Sequence, residues 1–431
     1  MQLKRFKNVS GLLSAAACTL VGAHADAGQD EKQWNFESAI LYYGEADRVS
    51  ALEGVVLATR DFGDEHIFAG KFVVDALTGA SANGALPQNS VQTFTRPSGN
   101  GQFDVTAGDT PLDDTFHDTR VQLNGHWTQP LSQQSTISGG LHFSNEYDYT
   151  SVALNGSIAR DFNRNNTTLS LGVSYAFDSI GPEGGLPIPF SESVVNNGQF
   201  ASEAEYKQAY DATRQSDGED TKNTADLILG LTQVINRNWL MQFNVGMSEV
   251  DGYLTDPFKL VTAVDANGVA QAQLYESRPD TRSKTFLFAQ SKYSFGSSVL
   301  DVSYRFSDDD WGLSAHTIDT RIYFPLSDRS YLQPHFRYYS QDAVDFFHRY
   351  LMDGEALPEY ASADYRIGDM TTYTLGVKYG RKLQGGKEYS VRLEYYAQMS
   401  EGNENTGLSE LDGLDLYPDV DALMLQFSYS F

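Results

Sequence analysis

The feature that most constrains the fold is a period-two alternation of apolar and polar side chains that recurs along the chain, with interruptions that themselves alternate in length. At the carboxyl end, "ALMLQFSYSF" puts Leu423, Leu425, Phe427, Tyr429 and Phe431 on one face of an extended strand and Met424, Gln426, Ser428 and Ser430 on the other. The same pattern runs through "TRVQLNGHWTQ", "TTLSLGVSYAFD", "NWLMQFNVGM", "HTIDTRIYFPL" and "YSVRLEYYAQM". A sandwich strand in a soluble protein has one apolar face too, so the alternation alone does not choose between core and lipid. The breaks choose. Short turns fall at 61–64, 130–133, 162–166, 236–238, 295–298, 327–330 and 384–387. Long Asp/Gly/Pro-rich connections fall at roughly 77–115, 179–221, 251–280, 343–366 and 401–419, with tight ones at 44–48, 145–148 and 308–312. With short turns on one rim and the rest on the other, parity holds from Trp34 to Phe431. The sequence thus predicts an all-β fold: a transmembrane antiparallel β-barrel of about sixteen strands, outer-membrane type, with long extracellular loops and both termini on the short-turn side. A short helix is expected around "SEAEYKQAYDATR".

Aromatic placement agrees. Trp34, Trp127 and Trp239 stand at the short-turn ends of their segments, where an interfacial girdle belongs, and Trp311 lies at the opposite rim. Phe427, Tyr429 and Phe431 end the chain in the manner of the terminal signal read by the barrel-assembly machinery of Gram-negative outer membranes, which makes that machinery an expected partner beside outer-membrane lipid.

The amino-terminal "MQLKRFKNVSGLLSAAACTLVGAHA" has Lys4, Arg5 and Lys7, a short apolar run and small residues before Asp26, which is an export signal. The expected organisation is a cleaved signal peptide at 1–25 and a single barrel domain at 26–431. Cys18, the single cysteine, lies within that signal; Ala15 stands where a lipoprotein signal wants a Leu-like residue, so lipidation is the lesser alternative. A balance of 31 basic to 57 acidic residues, net -26, excludes nucleic acid as a partner.

The stretch "ESAILYYGEADRVSALEGVVLATRDFGDEHIFAGKFVVDALTGASANGA", with "TFTRPSG", "GYLTDPFKLV" and "YESRPDTR", resembles an uncharacterised, porin-like family of proteobacterial outer-membrane barrels defined as a domain of unknown function. The resemblance implies a barrel in the outer membrane of a Gram-negative bacterium and transfers no activity.

If one face meets lipid, the other lines the lumen. Its candidates are Asp301, Arg305, Asp319, Arg321, His335, Arg337, Lys378, Arg392 and Glu394, with Glu37, Lys71, Asp75, Arg120, His126 and His142 from earlier strands. Charges there must meet water or one another, because a dry unpaired charge costs several kcal/mol. They fit a passive channel in which facing charges select small polar or anionic solutes. They fit equally a wall braced by its own ion pairs, in a plugged barrel that serves as a scaffold or a secretion or assembly partner. The segment "DALTGASANGALP" either folds into the mouth or lies on the surface, and Asp308, Asp309 and Asp310 of "SDDDWG" lack the spacing of a calcium loop. In "LHFSNEYDYTSVALN", His142, Ser144 and Asn155 are similar to the catalytic residues of outer-membrane phospholipases, but alternation sends them to the lumen, away from lipid substrate. No phosphate loop, zinc pair or haem attachment site is present, so no cofactor, metal or catalytic residue is expected.

Overall fold

The computed structural model describes residues 34–431 except 47 and 403–404, and the side chains of 114–116 are also outside the description. The export signal and Cys18 lie outside the described residues.

Sixteen strands close into one antiparallel barrel. In ring order they are β1 (Trp34–Glu45), β2 (Val49–Asp61), β3 (Ile67–Ala82), β6 (Leu112–Ser132), β7 (Ser135–Asn145), β8 (Tyr149–Phe162), β9 (Thr167–Ile180) and β10 (Asp220–Asn236). The ring continues with β11 (Trp239–Gly252), β14 (Thr281–Phe295), β15 (Ser298–Asp309), β16 (Ser314–Pro325), β17 (Ser330–Gln341), β19 (Met370–Lys382), β20 (Glu388–Ser400) and β21 (Val420–Ser430). Successive barrel strands are neighbours in the ring, so each connection joins an antiparallel pair; one rim has short turns only, and the other has all the long connections together with tight ones at 46–48, 146–148 and 310–313. β21 returns to β1 in the register Glu37↔Ser430 to Glu45↔Ala422, and Phe36 and Phe431 exchange backbone hydrogen bonds of 2.9 Å beyond it. In a bilayer no water satisfies a bare strand edge, so this seam is what permits the sheet to reside there.

The outer surface is the apolar face of every strand. Ile40, Leu52, Phe72, Leu123, Leu141, Leu154, Val173, Leu229, Val245, Leu287, Leu375, Leu393 and Phe427 all stand exposed, as an outward-facing band requires. At the short-turn rim Phe431 stacks on Phe36 and Tyr429, with ring centroids 5.6 and 5.4 Å apart. Trp34 and Trp127 point outward at that level, and the Trp239 indole donates to Ser291 Oγ at 2.9 Å.

The opposite rim holds a second body. The connections between barrel strands there carry β4 (Gln92–Thr95), β5 (Gln102–Val105), α1 (Glu203–Asp211), β12 (Leu260–Val264), β13 (Ala270–Tyr275) and β18 (Tyr350–Met352). The helix meets the expectation at 203–211; Ser202 caps it, accepting from Glu205 N at 3.2 Å. The small strands were not expected. β12, β13 and β18 form one sheet and β4 and β5 another, and apolar residues from separate loops share cores: Leu86, Val264, Leu411 and Leu416 in one, Phe94, Val105, Leu260 and Tyr275 in a second. Leu86, Val261, Val264, Ile367 and Leu411 are wholly buried. These loops therefore pack as a small water-soluble domain, a cap, instead of standing apart as independent constrictions.

The cap crosses the mouth. Lys259, in the connection from β11 to β14, donates to Ala82 O at the end of β3, on the far side of the ring. Arg349, between β17 and β19, donates to Leu416 O at 2.5 Å and Gly84 O at 2.8 Å, tying three loops together. Beneath them is a buried ionic network. Arg366 donates to Asp256 and Asp364 at 2.6 Å each, Arg278 to Glu276 at 2.9 Å and Asp364 at 2.8 Å, and Ser362 to Glu276. Burial raises the Asp256 carboxyl, but Arg366, Lys259 and Arg278 together outweigh it and hold the group below the usual carboxylate range. Burial brings the Lys259 ammonium down to about 8.

Two outcomes follow from the seam and the cap. Phe431→Asp puts a charge at the lipid interface beside the closing strand and is expected to reduce the heat-modifiable, membrane-inserted fraction and to induce envelope stress; normal insertion would separate this residue from assembly. Arg366→Ala leaves Asp256 buried without its hydrogen-bonded cation and Asp364 with Arg278 alone, a loss of about 3–5 kcal/mol to the cap. Limited proteolysis should then cut within 253–280 or 342–369 while the barrel keeps its heat-modifiable mobility.

Candidate functional site

Alternation places the sequence-predicted lumen residues on the inner wall. Near the cap, inward-facing Leu77, Ser144, Asp178, Thr224, Ala315, Thr372 and Gln398 are all buried. Nearer the short turns the charged side chains meet water, with Arg321 40% and Arg392 33% exposed. Toward the short turns the wall is mixed, with Gln242, Tyr331 and Ser390 buried alongside those two exposed guanidiniums.

The wall carries its charges unevenly. On β15, β16, β17, β19 and β20 stand Arg305, Arg321, Arg337, Lys378 and Arg392, against Asp301, Asp309, Asp319, Glu388 and Glu394. The strands diametrically across the ring, β3, β6, β7, β8 and β9, together with their neighbours β2 and β10, are more acidic. There Glu53, Asp75, Asp118, Glu146, Asp178 and Asp226 outnumber Lys71, Arg120 and Lys222. Arg120 donates to Asp75 and lies 3.7 Å from Glu53, while Lys222 sits 3.1 Å from Asp178. Asp118, Glu146 and Asp148 converge at the capped end of this acidic wall, with carboxylate oxygens within 4.8 Å of one another.

On the basic wall, one register row runs Asp301↔Arg321↔His335↔Gly376↔Glu394 across five neighbouring strands. His335 bridges two carboxylates, Glu394 at 2.7 Å from Nδ1 and Asp319 at 2.9 Å from Nε2. To reach Glu394 it must pass over β19, and Gly376 is what lets it: a Cβ there would lie 2.5 Å from Glu394 Cγ. Arg321 is 3.3 Å from Asp319, Asp301 accepts from Gln290 at 2.8 Å, and the Arg305 guanidinium lies over the Phe286 ring at 4.6 Å. The row is mostly self-compensating, as a brace would be. One row closer to the short turns, Lys378 faces Arg392 directly.

His142, Ser144 and Asn155 do not form a catalytic unit. The His142 ring bonds Asn124 Oδ1 at 2.7 Å; Asn155 serves His126 instead, in the space left by Gly140; and Ser144 Oγ has no hydrogen-bond partner among the described residues. In "SDDDWG", Asp309 is held by Arg282 and accepts from the Trp311 and Leu313 amides at 3.1 Å, and Asp310 accepts from Ser283 N at 3.0 Å, so these oxygens fasten a turn. "DALTGASANGALP" does enter the mouth, where Ala82, Ala85 and Leu86 are buried.

Residues that the sequence did not single out hold the cap: Asp256, Lys259, Glu276, Arg278, Asp364 and Arg366. Their signal was present as spaced acid–base pairs in "TDPFK", "ESR" and "DYR". "TFTRPSG" has a matching role, since Pro97 O and Gly99 O accept from Tyr210 and Tyr206 of α1 at 2.7 and 3.2 Å.

A closed sixteen-strand antiparallel sheet, apolar outside and charged within, defines an outer-membrane β-barrel of the Gram-negative type. The chain belongs to the family described as protein of unknown function DUF3570, whose profile matches residues 10–431. No curated protein matches it in sequence. Among solved structures it is similar to a bacterial polysaccharide outer membrane secretin, at 7% identity and a TM-score of 0.44, covering 94% of this chain and 100% of that one. A variant of the ferric enterobactin receptor from Pseudomonas aeruginosa is 9% identical with a TM-score of 0.40, covering 87% of this chain; this chain spans 54% of the receptor's length. OmpT, an outer membrane protein of Vibrio cholerae in its trimer form, is 9% identical with a TM-score of 0.38, covering 93% and 98%. No function passes from them to this chain.

Proposed function

We propose that the protein is a porin-like passive channel for small hydrophilic solutes, anions above all, whose outer mouth is narrowed by the cap. The observation that carries this is an imbalance of lumen charge: cations and carboxylates are matched on β15 to β20, while carboxylates outnumber cations on β2 to β10, with the strand groups facing one another across the ring. A wall built only for bracing would pair its charges locally, as His335 does with Asp319 and Glu394; an imbalance between facing walls instead sets up a transverse field that orients and selects small ions. The role is non-enzymatic, and Ser144→Ala should leave lipid hydrolysis by the purified protein unchanged.

A second reading has its own support. The cap has a continuous apolar core, which suits a plugged barrel that acts as scaffold or assembly partner. Single-channel recording in planar bilayers separates the two. The channel reading expects a small, steady conductance with anion preference, raised several-fold by Arg366→Ala and shifted toward cations when Arg321 and Arg337 are replaced by Glu. Silence of both the native protein and the Arg366→Ala variant, with the barrel verified by circular dichroism, overturns the channel and favours the scaffold.

A further inference from the structure

We propose that Lys378 and Arg392, flanked by Gln333 and Gln426, form a binding subsite for a compact oxyanion of the phosphate class on the basic wall of the lumen. The inference deepens the channel reading and rests on it for its physiological meaning.

The four residues occupy one register row on four consecutive strands, Gln333↔Lys378↔Arg392↔Gln426 across β17, β19, β20 and β21. Every member offers N–H donors to the lumen, and none carries a negative charge. Two cations directly opposite on adjacent strands repel and destabilise the pair, so the arrangement makes chemical sense when something anionic lies between them. The protein supplies little of that. Among the described residues Lys378 makes no ion pair within 4.0 Å; its nearest recorded contact is the Tyr331 ring, 5.7 Å from Nζ. Arg392 approaches Glu394 at 3.9 Å, and that carboxylate is already engaged by His335 at 2.7 Å. Glu37 and Glu388 act on Lys378 through space, and Tyr331 donates to Glu388 at 2.7 Å. Arg321 adds a third cation from the adjoining row, with its own side chain 40% exposed.

In that adjoining row every charge has a close opposite partner, His335 at Glu394, Arg321 at Asp319 and Asp301 at Lys292, whereas the row of Lys378 and Arg392 sets two cations side by side with only amide neighbours, Gln333 and a Gln426 that also donates to Ser428 Oγ at 3.0 Å. A guanidinium presents parallel donors that match two oxygens of one tetrahedral or planar oxyanion, an ammonium adds a point charge beside them, and side-chain amides complete the shell. A halide or a single carboxylate uses fewer of these donors, so a phosphate-class anion is preferred over both. Access is from the short-turn mouth: Lys378 is four residues from the end of β19 at Lys382, about 13 Å along the strand.

Isothermal titration of the full-length, detergent-solubilised barrel with inorganic phosphate tests this, with sodium acetate and sodium chloride at matched ionic strength as comparisons. Saturable phosphate binding is expected, with acetate and chloride at least tenfold weaker. Lys378→Gln combined with Arg392→Gln should weaken phosphate at least tenfold. Lys378→Arg should restore it to within about threefold, and Lys207→Gln, which removes an exposed cation on α1, should leave it unchanged. Heat-modifiable mobility verifies the fold of each variant. Equal weak uptake of all three anions, or phosphate binding indifferent to the double substitution, overturns the subsite even if the barrel conducts. Selective phosphate binding by a barrel that is silent in bilayers upholds the subsite and removes the channel reading alone.

Discussion

The interaction on which everything else depends is the pairing of β1 with β21. Lipid offers backbone groups no partner, each unsatisfied one costs several kcal/mol, and an open sheet of this width would leave two bare edges. Closure removes both at once. It also explains the composition of the last strand, which must do two jobs: donate and accept along Glu37 to Glu45, and present Leu423, Leu425, Phe427 and Phe431 to lipid. Once the seam is made, the period-two alternation has a single consequence on every strand, with apolar side chains outside and polar ones inside.

That division gives the molecule two different interiors. The cap is held as a soluble domain is held, by apolar cores drawn from several loops and by a network in which Arg278 and Arg366 each serve two carboxylates. Burial of such charges adds little net stability, but removing one partner is costly, so the network fixes which loops meet more than it strengthens their meeting. The wall below is held by the sheet itself. Its side chains are consequently released from structural duty wherever water reaches them, and it is there that uncompensated cations such as Lys378 and Arg392 are tolerated.

The three shorter family motifs fall on the cap and its anchors, while the longest, 37–85, builds β1, β2 and β3 and ends at the cap. "GYLTDPFKLV" carries Asp256 and Lys259, "YESRPDTR" carries Glu276 and Arg278, and "TFTRPSG" supplies the carbonyls on which α1 is seated. Arg48, in the amino-terminal motif, lies over the Tyr365 ring at 5.4 Å and 3.9 Å from Glu45. What distinguishes this chain from a generic barrel is therefore the closure over its mouth.

The sequence by itself determined the barrel, its strand parity, the identity of both rims and the inward set of residues, because each of these follows from local periodicity and loop length. Arg321, His335, Lys378 and Glu394 were legible as lumen residues for that reason. Only the tertiary structure decided which of them meet. His335 reaches Glu394 because register brings Gly376 between them, and Asn155 serves His126 and not His142 for the equivalent reason at Gly140. Register is set by the hairpins and the closing seam together, and no single segment encodes it. The cap was less legible still: its core joins residues as distant as Leu86 and Leu411, and its small strands lack the long alternation that marks a lipid-facing one. Such contacts depend on which loops the closed ring brings face to face, a property of the ring as a whole.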